Sequence, residues 1–326
     1  MTDGSDEPAG RSGKRARRKI ELDTFAQDAR VELETQLAAT KAQFDAIEQR
    51  IEKRTGRNLI MAIAIGLALG GLLLVSLLVI KELFIVFAAA LAGLAAFELA
   101  SALRFAGRDV PRLPVVVATV ALQVAAFYWG GSGQWLVLLA GIGIVSLWRL
   151  IELVTPAGRA PLVDVLKDLG GGVMVLIYVA FLASFAVLLV AQDGGQWWVL
   201  AFLAVVVATD TGAYASGLLF GKHPMAPRIS PKKTWEGFAG SVVVAVITGV
   251  LLAIFMIDQP WWIGVLLGLV MVATGTGGDL IESLIKRDLG IKDISTWLPG
   301  HGGFLDRLDS ILPSAFAAFA LYTLFA

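Results

Sequence analysis

From Asn58 to the C-terminus the chain alternates long apolar runs with short polar breaks. The runs lie near 58–80, 82–103, 114–130, 134–152, 169–192, 196–219, 237–257, 261–281 and 311–326. A helix needs roughly 20 mostly apolar residues to cross a bilayer. The third and ninth runs are short by that measure, and the sixth and eighth carry acids at their ends. The pattern predicts an all-α polytopic membrane protein of about nine transmembrane helices over 58–326. The first apolar run begins too late in the chain to be a cleavable signal peptide.

Residues 1–57 are a different material. They are expected to form a cytoplasmic charged tail followed by a helix. Six basic residues fall between Arg11 and Lys19, a solvated tail or a weak contact for anionic lipid. From Ile20 the pattern turns helical. Leu33, Leu37, Phe44, Ile47 and Ile51 follow steps of a short heptad seam, with Thr40 in one seam position. This suits either a coiled coil or a helix lying on its own domain, and it carries no chemistry.

Composition agrees with the membrane reading. Of 326 residues 57% are hydrophobic and 17% charged, and the mean hydropathy is +0.75. Soluble domains run nearer 45–50% apolar and about 25% charged. With no cysteine, disulfide scaffolds, Cys-ligated zinc and thiol catalysis are excluded. A net charge of zero argues against a general nucleic-acid partner. Orientation follows from Lys and Arg. With the N-terminus placed in the cytoplasm, the inside connections of a nine-span chain carry 14 basic residues, Arg149 and Arg159 among them. The outside connections carry only Lys81. The expected location is the cytoplasmic membrane, with the active site on its cytoplasmic face.

Two inside segments, Thr209–Gly237 and Gly278–Ser310, hold most of the unusual polar residues. Together they carry eight basic residues and eight acidic ones. An anion patch would be mostly basic and a cation pathway mostly acidic. Equal numbers suit a site that holds a polyanion and a divalent metal together, although a salt-bridged surface would show the same count. Acids at a bilayer boundary are costly, so Asp210, Asp279 and Glu282 need a reason to be there. Asp279, Glu282, Ser283 and Lys286 are spaced to share one helix face, as are Asp306 and Asp309. Carboxylates without His or Cys favour a hard cation, Mg²⁺ above all. Between these acids lies Pro299-Gly300-His301-Gly302-Gly303, whose glycines let backbone N–H groups approach phosphate oxygens. His301 is read as a phosphate contact or proton carrier. Ser230-Pro231-Lys232-Lys233-Thr234 reads as a fixed turn followed by two cations.

Such a site suggests phosphoryl or nucleotidyl transfer to a lipid, chemistry that needs charge neutralisation and alignment more than a covalent nucleophile. A lipid kinase would use the same logic. An ion-coupled transporter would place its acids at mid-membrane in paired half-helices, and a non-catalytic scaffold would leave the carboxylates without a role.

The run Ser283-x-x-Lys286-Arg287, Lys292-Asp293, Pro299-Gly300-His301-Gly302-Gly303-x-x-Asp306-Arg307-x-Asp309 resembles the signature of the phosphatidate cytidylyltransferases, or CDP-diacylglycerol synthases. The segments SPKKTWEG and GDLIES are similar to that family's other shared stretches. The likeness is dense from Asp210 to Ser310 and does not cover 1–57. It implies transfer of the cytidylyl group of CTP to phosphatidate, giving CDP-diacylglycerol and pyrophosphate. It also implies a Mg²⁺ requirement, with room for a second, monovalent cation, and a helical membrane bundle that is often a homodimer. Carried over by position, Asp279 and Asp306 would be metal ligands with Asp309 nearby. Lys232, Lys233, Lys286, Arg287 and Lys292 would hold the triphosphate and the lipid head group, beside Asp293, Gly302, Gly303 and Arg307. Because the attacking phosphate oxygen is already an anion, His301 is left with positioning or leaving-group support. The sequence departs from the family at Thr209, often Asn, and at Ile294, often Ser.

Overall fold

Length decides most of the helices. The computed structural model describes residues 59–154, 160–291, 293–295, 297 and 302–326. The charged tail, the heptad seam, Arg159, Lys292 and His301 lie outside the described residues. The chain divides after Ile63, and its larger unit is Ala64–Ala326. Helix α1 (Leu59–Leu78) runs into that unit and is followed by α2 (Lys81–Phe105) and α3 (Arg112–Glu152). Helix α4 (Leu162–Val175) runs through a π-turn (Leu176–Phe181) into α5 (Leu182–Ala191). Then come α6 (Gly195–Phe220), β1 (Pro224–Ala226), β2 (Ser230–Thr234), α7 (Trp235–Phe255), α8 (Trp261–Asp288), the single turn α9 (Leu305–Leu308) and α10 (Ile311–Phe325).

Among the described residues, seven helical stretches are long and apolar enough to cross a membrane, taking α4 to α5 and α9 to α10 as one each. Helix α3 is 41 residues long, about twice a bilayer core at 1.5 Å per residue. Its one non-helical residue is Gly130 (φ 62°, ψ −154°), a conformation that glycine alone adopts without strain. Two of the expected runs, 114–130 and 134–152, therefore meet at a glycine break instead of a loop. Fold class differs from all-α in one detail. SPKKT is not a fixed turn but strand β2, paired antiparallel with β1.

Several of the charged residues inside these helices are paired, as a low-dielectric interior favours. Arg149 is not a loop cation: it lies inside α3 at 1% exposure, with its guanidinium on Asp168 of α4 at 2.8 Å. Asp168 also accepts the Asp109 N–H, which ties the α2–α3 connection to the same pair. At the opposite end of α2, Lys81 donates to the Gln192 carbonyl and Tyr322 to that of Asp193.

Two apolar cores fill the bundle. One joins α5, α6, α7, α8 and α10 around Phe202, Leu267 and Met271. The other joins α2, α3, α4 and α9 around Leu99, Leu122, Leu176 and Leu305. Small residues let the helices come close. One close approach to backbone is at Gly278 on α8, where a Cβ would press on the Asp309 carbonyl oxygen and lie 2.8 Å from Pro313 Cγ. Gly278→Ala should therefore force α8 and α10 apart and cost about 1–3 kcal/mol. Gly277→Ala is the control, because nothing lies within 4 Å of that Cβ. Thermal unfolding in detergent should separate the two, and equal midpoints would refute the close contact.

Candidate active site

Helix α8 supplies the centre of the site. Asp279, Glu282, Ser283 and Lys286 share one face, as their spacing predicts. Ser283 Oγ donates to Asp279 Oδ1 at 3.3 Å, and Lys286 pairs with Glu282 one turn back. Glu282 is 1% exposed, and its Oε1 accepts no hydrogen bond from the described residues. Lys286 Nζ also reaches across to Asp306 Oδ1, at 3.2 Å. Asp306 Oδ2 accepts the Gly303 N–H at 2.7 Å.

The Gly-rich loop is thus held by Asp306. Gly302 has φ +84°, and a Cβ there would sit 2.6 Å from Asp306 Oδ2. The Gly303 amide, expected to face phosphate, is taken by this carboxylate. Glu98 of α2 fixes the loop from behind, at 2% exposure. Its Oε1 accepts from Ser295 Oγ at 2.5 Å and its Oε2 from the Leu305 N–H at 3.0 Å. Trp297 stacks on Phe97, the neighbour of Glu98, with ring centroids 5.5 Å apart.

The hairpin brings the second cation. Lys233 Nζ lies 2.6 Å from Asp279 Oδ2. Successive strand residues point to opposite faces, so Lys232 turns away from this contact and is exposed. The hairpin is fastened by Glu236, which accepts the backbone N–H groups of Lys222 and His223 and contacts His223 Nδ1 at 2.5 Å. Thr234 Oγ1 caps α7 by accepting the Gly237 N–H.

Two further acids complete the cluster. Asp309 feels the charges of Asp279 and Asp210, while Asp210 feels Asp279, Lys233 and Arg307. Arg307 also lines a cavity of ≈ 210 Å³ between α1, α2, α5, α6 and α10, whose other walls are apolar side chains such as Phe84, Phe87 and Leu312. Arg287 and Asp293 are exposed beyond the face that carries Lys286. The structure therefore brings together Asp279, Lys286, Asp306, Asp309, Lys233, Gly302 and Gly303, and leaves Lys232, Arg287 and Asp293 at the margin.

The two departures from the family pattern are accounted for locally. Thr209 is buried, and its hydroxyl bonds its own helix at the Val205 carbonyl. Ile294 packs against the second core. Sequence reasoning missed Glu98, and an acid inside an apolar run was the signal that marked it. It also missed Tyr178 of the π-turn, which lies within electrostatic range of Asp309, Glu282 and Asp279.

The donor set suits a hard cation. Asp210, Asp279 and Asp309 offer oxygen ligands only, and like charges gathered this way are stabilised by a divalent ion. Among the described residues no three acidic or His side chains already enclose a metal position.

A helical membrane bundle with interleaved carboxylates and ammonium groups at one end defines the class. The chain belongs to the cytidylyltransferase family, whose profile matches residues 60–325. It is 40% identical over 280 residues to the phosphatidate cytidylyltransferase of Mycobacterium bovis, covering 83% of this chain and 90% of that one. It is 41% identical over 283 residues to the phosphatidate cytidylyltransferase of Mycobacterium leprae, covering 83% and 89%. A shorter match, 44% over 122 residues, covers 37% of this chain and 46% of the phosphatidate cytidylyltransferase of Staphylococcus haemolyticus.

Proposed function

We infer that the protein is a phosphatidate cytidylyltransferase, an integral membrane enzyme that transfers the cytidylyl group of CTP to phosphatidate. The products are CDP-diacylglycerol, for phospholipid synthesis, and pyrophosphate. The observation that carries this is the pairing of Lys233 with Asp279 and of Lys286 with Asp306 within a chain of this family. The rival readings, a lipid kinase and an ion-coupled transporter, gain no support from the relatives.

The chemistry is an in-line displacement. A phosphatidate phosphate oxygen attacks the α-phosphorus of CTP, that bond forms as the α–β bridging bond breaks, and pyrophosphate carries the charge away. Lys233 and Lys286, each already held against a carboxylate, neutralise the phosphates without large rearrangement. Arg307, which lines the apolar cavity and lies within electrostatic range of Asp210, would meet the lipid phosphate where acyl chains enter from the bilayer. Asp279 and Asp306, with Asp309 nearby, would hold Mg²⁺, which would polarise phosphoryl oxygens and lower the barrier to pyrophosphate departure. Arg287, Asp293 and Lys232 would serve the outer approach of the triphosphate, while Lys292 and His301 are assigned to substrate binding and positioning by the family resemblance alone.

Nine spans, with the N-terminus and the site in the cytoplasm, form part of the same reading. The break at Gly130 divides the 41-residue helix in two, and α1 supplies the remaining crossing. The single basic residue assigned outside, Lys81, caps the end of α5 by its bond to Gln192. Assembly as a homodimer rests on the family resemblance alone.

The test uses purified protein in mixed micelles with phosphatidate, Mg²⁺ and CTP labelled at either the α or the γ position. Label should enter the lipid only from the α position. Lipid labelled from the γ position would mean a kinase, and would overturn the reading.

A further inference from the structure

The π-turn between α4 and α5 packs Leu176, Val179 and Ala180 into the second core and carries one polar side chain, Tyr178, close to the acids of the site. A π-turn weakens its helix and survives where it re-aims a side chain, frequently at functional positions. This one is buttressed from α3. Gln123 Nε2 donates to the Ala180 carbonyl at 3.0 Å, and Gln134 Nε2 donates to Ser184 Oγ at 2.7 Å. Ser184 Oγ in turn donates to the Phe181 carbonyl at 2.7 Å. Three buried polar side chains serve to hold six residues in an unfavourable winding.

The polar side chain that the turn presents is Tyr178. It is 9% exposed, and among the described residues its hydroxyl has no hydrogen-bond partner. An orphaned hydroxyl in a buried site is unfavourable, so its proton donor is normally met by something. Three acids of the site, Asp309, Glu282 and Asp279, act on it electrostatically, yet none of them bonds it. The neighbouring ammonium groups already have carboxylate partners. The hydroxyl lies within electrostatic range of the acids around which, on the cytidylyl-transfer reading, phosphoryl groups bind.

We propose that the Tyr178 hydroxyl donates a hydrogen bond to a non-bridging phosphoryl oxygen of the bound substrate, and that the π-turn exists to aim it there. Tyr178 is thus a substrate-contacting residue of the reaction. The proposal rests on the function inferred above, and the phosphoryl group could belong to CTP or to phosphatidate. A neutral donor on a charged oxygen gives about a 10- to 100-fold effect.

Tyr178→Phe removes one oxygen atom and leaves the ring packed. Its thermal midpoint without substrate should equal or exceed that of the wild type, because an unpaired buried hydroxyl is lost. Its kcat/KM should fall about 10- to 100-fold. A raised KM for CTP alone assigns the contact to the nucleotide, and a raised KM for phosphatidate alone assigns it to the lipid. Both proteins should also be melted with and without CTP and with and without short-chain phosphatidate. The midpoint shift should shrink in the variant for the ligand that Tyr178 touches. A kcat/KM within twofold of wild type, with equal shifts, overturns the proposal. So does a variant whose midpoint without substrate falls by several degrees, which would mark the hydroxyl as structural. Wild-type protein that transfers no label would sink the function inferred above. The hydroxyl proposal would then stand or fall on the ligand-induced shifts alone.

Discussion

Asp306→Asn should reduce cytidylyl transfer by about 10²–10³-fold while the protein still inserts and folds. The side chain keeps its volume and loses its charge. In the native site one oxygen meets Lys286 Nζ at 3.2 Å and the other accepts the Gly303 N–H at 2.7 Å. An amide cannot do both. With its NH₂ toward Lys286, two donors face each other. With its NH₂ toward Gly303, the loop loses the acceptor that fixes it. In the first orientation Lys286 is left with Glu282 alone; in the second it keeps a neutral acceptor in place of a charged one. On the proposed metal site, a carboxylate for Mg²⁺ would be lost at the same time. The measurement is α-label transfer into lipid at saturating CTP, with the thermal midpoint of the same preparation as the folding control. Activity near the wild-type level would remove Asp306 from the chemistry. A collapse of the midpoint would make it a structural residue instead.

The parts of this site legible in the sequence are those set by local period. The helical repeat alone places Asp279, Glu282, Ser283 and Lys286 on one face, and the structure shows Ser283 bonding Asp279 and Lys286 pairing with Glu282. Apolar run length likewise places most helix boundaries, because the bilayer thickness is a fixed ruler. What the sequence could not show is which local faces meet. Nothing in PGHGG says that its last amide will be claimed by Asp306, since that depends on Glu98 holding the loop from another helix. Arg149 reads as a loop cation by the charge rule, yet Asp168, on the next helix, makes burial tolerable. Gly130 sits in a run of small residues that resembles a turn. The helix resumes at once, because the break needs only one residue with a positive φ. The π-turn has no local signature at all. It is held by Gln123 and Gln134 from α3, and only the assembled bundle reveals it.

The same distinction between period and partner yields a sharp test on the hairpin. Lys232 and Lys233 are adjacent, chemically identical and indistinguishable by sequence pattern. Strand geometry separates them, because alternate residues face opposite sides. Lys233 reaches Asp279 at 2.6 Å, while Lys232 stays exposed. Lys233→Ala should therefore raise the KM for CTP by about 10- to 100-fold, the range for losing a charge-assisted contact in a partly buried site. It should change kcat less, because the contact serves the triphosphate in the ground state as well as the transition state. Lys232→Ala should stay within about threefold, as expected of a solvent-screened cation. Salt sharpens the contrast. Added KCl should weaken the residual contribution of Lys232 and leave that of Lys233 largely in place, since a close, partly buried pair is screened less. The measurement is CTP saturation at fixed phosphatidate for both variants, at two ionic strengths. Equal KM values would mean that the hairpin does not hold its strand register when nucleotide binds. A larger effect at Lys232 would mean that the strand turns over to present its other face to the triphosphate.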